Sequence, residues 1–118
     1  MNSDRELLEL AAKAAGIALR PMAVKPAPPA EGDGFIGYMT DPDQWPRGWF
    51  QPLTDDGDAL RLAVELRLDV TWTRDVRDRV IAMLPGSAVW GENSGDDPYA
   101  ATRRAIVRAA AEIGRVKE

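Results

Sequence analysis

Asp56-Gly57-Asp58-Ala59-Leu60-Arg61-Leu62-Ala63-Val64-Glu65-Leu66-Arg67-Leu68-Asp69-Val70-Thr71-Trp72-Thr73 decides the fold class, because its apolar period changes partway. Ala59, Leu60, Ala63 and Val64 recur at helical spacing, with Leu62 and Leu66 widening the face. From Leu68 onward, Leu68, Val70 and Trp72 alternate with Asp69, Thr71 and Thr73, which is the period of a half-buried strand. Asp55, Asp56 and Asp58 stand at the start of the helical part, where capping and the helix dipole both favour negative charge. The stretch therefore reads as a helix over 56–66 running into a strand.

Working outward, Arg74 to Asp78 reads as a polar turn and Arg79 to Leu84 as a second strand, so a hairpin is expected. Val76, Val80 and Met83 also fit helical spacing, which leaves a helix over 75–84 as the alternative. Pro85-Gly86 ends that element, and Ala88-Val89-Trp90 can add a last short strand. Asp97-Pro98 then starts a helix over about 97–115, with Asp at the N-cap and Pro in the first turn. Tyr99, Ile106, Ala109, Ala110 and Ile113 form its apolar stripe. Upstream, Ser3 and Glu6 make a capping-box pattern for a helix over 3–15 striped by Leu7, Leu8, Ala11, Ala14 and Ala15. Gly16 is its expected stop and Ile17 the apolar residue that follows. Residues 17–24 are ambiguous, since Pro21 confines any strand there to an edge. Residues 25–34 read as a Pro/Gly-rich loop and Phe35 to Thr40 as a strand. The expected architecture is α+β, a two- or three-layer sandwich of three helices on a small, mostly antiparallel sheet.

The 118 residues suit one domain, 1–118, and 45% apolar with 29% charged residues is ordinary for a globular chain. Cysteine and histidine are both absent, which excludes disulfides, thiolate chemistry, a Ser-His-Asp triad and the commonest metal ligand. The net charge is −4. Residues 98–118 hold five basic side chains against two acidic ones, so 1–97 carry −7. An overall acidic chain argues against a general nucleic-acid coat. The first residues are acidic where an export signal needs a basic start, and no apolar run approaches a membrane span. The protein is expected in the cytoplasm.

Several patterns hint at chemistry and weaken on inspection. Gly32-Asp33-Gly34-Phe35-Ile36-Gly37 matches a dinucleotide fingerprint in spacing, but a proline loop precedes it and no helix follows. Thr54-Asp55-Asp56-Gly57-Asp58 resembles a calcium loop, but counting from Asp55 the twelfth position is Leu66 rather than Glu. Helix capping is the first reading of these aspartates; a metal-dependent enzyme using Asp55, Asp56 and Asp58 is an alternative. Trp45-Pro46-Arg47-Gly48-Trp49-Phe50 mixes rings with one cation. Its rings plug the end of a core, anchor a partner, or stack on single-stranded nucleic acid. Arg103, Arg104 and Arg108 form a solvated helix face or grip phosphate or an acidic partner.

Two stretches resemble a known family. They are Trp49-Phe50-Gln51-Pro52-Leu53-Thr54-Asp55-Asp56-Gly57-Asp58-Ala59-Leu60-Arg61-Leu62-Ala63 and Gly95-Asp96-Asp97-Pro98-Tyr99-Ala100-Ala101-Thr102-Arg103-Arg104-Ala105-Ile106-Val107-Arg108-Ala109-Ala110-Ala111-Glu112-Ile113-Gly114. They are similar to small tailed-phage and prophage proteins of the phage α/β/α (ABA) sandwich type; residues 25–30 lie outside that pattern. The resemblance implies a phage or prophage gene acting in a bacterial host, with no transferable catalytic residues. The expected function is a non-enzymatic accessory protein that binds a host or phage protein. Trp45, Arg47, Trp49, Phe50, Arg103, Arg104 and Arg108 are its candidate binding residues. It is expected to need no cofactor, avoid membranes and exist as a monomer or weak homo-oligomer. The alternative is nucleic-acid binding by the C-terminal helix and the Trp45–Phe50 loop.

Overall fold

A computed structural model of the chain describes residues 3–23, 35–72, 79–83, 89–93 and 97–117. The order is α1 (Asp4–Ala15), β1 (Arg20–Ala23), β2 (Phe35–Met39), β3 (Trp49–Phe50), α2 (Asp56–Leu66), β4 (Asp69–Trp72), β5 (Arg79–Met83), β6 (Val89–Asn93) and α3 (Pro98–Val116). The fold is α+β, with three helices and antiparallel strands. The strands divide between two three-stranded sheets, β1-β2-β3 and β4-β5-β6, rather than forming one. β3 is two residues long and α2 follows it after a short turn, so the first ladder does not continue into β4. β1, which contains Pro21, lies at an edge, as proline requires. Residues 79–83 pair as a strand with β4, in the register Asp69↔Met83 to Trp72↔Val80, so the hairpin reading holds over the helical alternative. The loop over 25–34, the turn over 74–78 and Pro85-Gly86 lie outside the described residues.

Local signals act as read at both terminal helices. The Glu6 N–H donates to Ser3 Oγ at 3.2 Å, and Gly16 closes α1 in the left-handed conformation with φ 75°. The Ala100 N–H donates to Asp97 Oδ1 at 3.0 Å, ahead of Pro98. Two apolar stripes come out differently. In α2 the buried residues are Asp58, Ala59, Leu62 and Ala63, while Leu60 and Val64 are 64% and 65% exposed. In α3, Tyr99 is 69% exposed. The helix is instead buried on more than one side, through Ala101, Ala105, Ile106, Val107, Ala109, Ala110, Ala111 and Gly114.

That two-sided burial makes α3 the spine. It packs against α1, α2, β5 and β6. Leu7, Leu8, Ala11 and Ala12 of α1 share one core cluster with Ile106, Val107 and the buried alanines of α3. A methyl group on Gly114 would stand 1.9 Å from the Leu10 carbonyl oxygen, so the backbones approach to a distance only glycine allows. Helix α2 ends on Arg67 at φ 55°, ψ 46°, with its N–H and that of Leu68 on the Val64 and Ala63 carbonyls. This is a left-handed C-cap occupied by a side-chain-bearing residue.

Two substitutions at these sites have opposite expected signs. Gly114→Ala should cost about 3 kcal/mol or more in urea-unfolding free energy, because backbone rather than a flexible side chain must move. Arg67→Gly should add about 0.5–1 kcal/mol, by relieving the left-handed residue without loss of a described contact.

Candidate functional site

The aromatic segment is chiefly a core plug. Trp45 is 2% exposed and Phe50 0%, and their rings meet edge to face with centroids 5.1 Å apart. The Trp49 ring is half-buried and lies against Gly37 of the neighbouring strand. Arg47, at φ 66°, is exposed and pairs with Asp55 at 3.4 Å. Trp45 and Phe50 therefore offer no surface for a partner or a base.

The arginines of α3 are held by the protein's own carboxylates. Arg103 donates from Nε to the Leu53 carbonyl at 2.9 Å and from Nη1 to Asp56 at 2.6 Å. Arg104 pairs with Asp4 at 3.1 Å and Arg108 with Glu92 at 3.0 Å. These pairs fasten α3 to the starts of α2 and α1 and to β6. The structure does not gather Arg47, Trp45, Trp49 and Phe50 with these arginines into one open basic surface.

The three aspartates at the start of α2 also have separate partners. Asp55 accepts the Asp58 N–H at 2.8 Å and caps the helix; Asp56 holds Arg103. Asp58 is 1% exposed, accepts the Gln51 N–H at 2.8 Å and takes Arg61 at 3.1 Å. That inward bond turns Asp58, and with it Leu62, to the interior, which rotates Leu60 and Val64 outward. Among the described residues, no group of three His, Cys, Asp or Glu side chains could hold a metal ion.

The rotation opens the feature that the sequence did not reveal. A groove of about 560 Å³ runs between α2 and β4, over the first turns of α3. One wall is Ala59, Leu60 and Ala63; the other is Val70 and Trp72; Tyr99, Thr102 and Ile106 complete it. The register explains why it is open. Val70 and Trp72 oppose Ala82 and Val80, which are fully buried, yet Val70 is only half-buried and Trp72 is 56% exposed. The core-facing side of the sheet thus extends past the helix that covers it. The Trp72 indole N–H donates to Thr102 Oγ1 at 3.0 Å and lays the ring across the opening. Leu60 also borders a smaller recess of about 330 Å³ with Pro46 and Val64. Of the five large apolar side chains most exposed, four therefore gather around α2: Leu60, Val64, Trp72 and Tyr99.

Among the described residues the charge lining the groove is balanced, Asp56 and Arg103 pairing at 2.6 Å with side chains 68% and 17% exposed. Asp97, also exposed, caps α3 beside Pro98 and Tyr99. No helix among the described residues is long and apolar enough to cross a membrane. Comparison with protein families, curated proteins and solved structures returns no match.

A second ionisable group lies beneath α1. The Tyr38 ring is buried, and its hydroxyl donates to Glu9 at 2.5 Å. Burial, then the bond to Glu9, raises its pKa above 10.0, against an opposing pull from Arg5. The stabilisation linked to neutral Tyr38 is complete below the unfolded-state pKa and is lost as pH rises toward the folded-state value. In a Tyr99→Phe background, ultraviolet absorbance should show the remaining tyrosine ionising above 10.0 in the folded chain and near it in denaturant. At the start of α2, Asp58→Ala should cost about 1–3 kcal/mol by removing the partner of the part-buried Gln51 N–H, and Asp58→Asn distinctly less, both by denaturant titration.

Proposed function

We propose that the chain is a non-enzymatic accessory protein, of phage or prophage origin, that binds a host or phage protein through the groove between α2 and β4. The phage origin rests on the resemblance of residues 49–63 and 95–114 to the ABA sandwich type. The binding role rests on a single observation: the apolar, core-facing side of β4 is left uncovered while its neighbours in β5 are fully buried. Covering a half-exposed aromatic ring removes on the order of 100 Å² of apolar surface from water, a gross gain of about 2 kcal/mol per ring. The partner segment that fits is apolar and carries a basic residue. Exposed Asp97, at the start of α3 beside the groove, attracts such a residue, whereas Asp56 and Arg103 are paired with each other.

Selecting peptides from a random displayed library on the whole chain tests this. The selected peptides should combine bulky apolar residues with Lys or Arg, and should bind Leu60→Glu and Trp72→Glu about tenfold more weakly than the original chain. Both variants should keep the original circular dichroism, since both side chains are exposed. Recovery of no peptide, or of peptides that bind all three proteins equally, would overturn the proposal.

A further inference from the structure

We infer that the partner segment binds as an added strand on the free edge of β4, an inference that rests on the groove being the binding site. In the order β4-β5-β6, β4 is an edge strand whose one partner among the described residues is β5. Among the described residues β4 alone supplies the sheet wall of the groove, and α2 forms the opposite wall. As an edge strand, β4 leaves alternate backbone N–H and C=O groups on its outer side without a strand partner among the described residues.

These groups decide what can fill the groove. Any occupant that covers Trp72 and Val70 also takes the neighbouring backbone groups out of water. A helix, whose own backbone groups bond internally, would leave them without partners, and buried unpaired backbone groups are strongly disfavoured. An extended segment supplies an N–H or C=O for each outward group and at the same time drops alternate side chains into the groove. β4 is short and carries exposed Asp69, and among the described residues it has no proline, lysine or bulge in its pairing with β5 to bar strand addition.

Charge selects among extended segments. Exposed Asp69 faces the other side of β4, opposite in alternation to Val70. The fitting strand therefore has bulky apolar residues at every second position on its groove face, and Lys or Arg placed to meet Asp69.

The tightest peptide from the selection above provides the probe, synthesised in two forms with alternate amides N-methylated in one frame or the other. Strand addition uses the N–H groups of one frame only. One form should therefore lose binding by about tenfold or more, and the other should stay within about twofold. Nitrogen-15 shifts should be largest at Asp69–Trp72, and changing the basic residue of the peptide to Glu should weaken binding less at high salt than at low salt. Equal tolerance or equal loss in both frames, or apolar residues spaced by three and four, would overturn strand addition. If that happens while Trp72→Glu still weakens binding about tenfold, the groove reading stands and strand addition alone falls. If Trp72→Glu binds normally, both fall.

Discussion

The close approach of α3 to α1 is the constraint from which the remaining structure follows. At Gly114, seated against the Leu10 carbonyl, the two backbones lie too near for any larger side chain. One side of α3 is thereby committed to α1. Its other sides must serve α2 and the sheet β4-β5-β6 at once. Small residues suit this role, because dispersion at short range replaces the area that larger side chains would bury.

A single helix is a narrow cover for three strands. The residues of β5 that face it, Val80 and Ala82, are fully buried; the corresponding residues of β4 are not. The outward turn of Leu60 enlarges the same gap from the other side. Both sides of the groove are thus set by interactions elsewhere, the glycine contact on one hand and the inward bond of Asp58 on the other. The arginines that give the C-terminal helix its positive balance are paired with Asp56, Asp4 and Glu92, so that balance is offset by carboxylates of α2, α1 and β6.

Element types were legible because each rests on nearby residues. Ser3, Gly16 and Asp97 mark helix ends by bonds that span three to five positions, and the change of period at Leu68 marks the strand. The rotation of α2 was not legible. The set 59, 60, 63 and 64 and the set 59, 62, 63 and 66 both satisfy helical spacing, and the choice is made by a carboxylate bonding to Gln51 inside the protein. Tyr99 fits the stripe of α3 in projection, yet among the described residues no other element covers it. The arginines looked like a binding surface because their partners are remote in sequence, 47 positions away for Arg103 and 100 for Arg104. The groove joins α2, β4 and α3, and no local pattern encodes such a meeting.

Native-state hydrogen exchange on the whole chain examines the role of α3 most directly. If α3 is the spine, amides from Ala105 to Ala111 exchange last, at the rate of global unfolding, and those of Leu8 to Ala12 in α1 exchange with them. Amides of β4, β5 and β6 that outlast those of α3 would contradict the account.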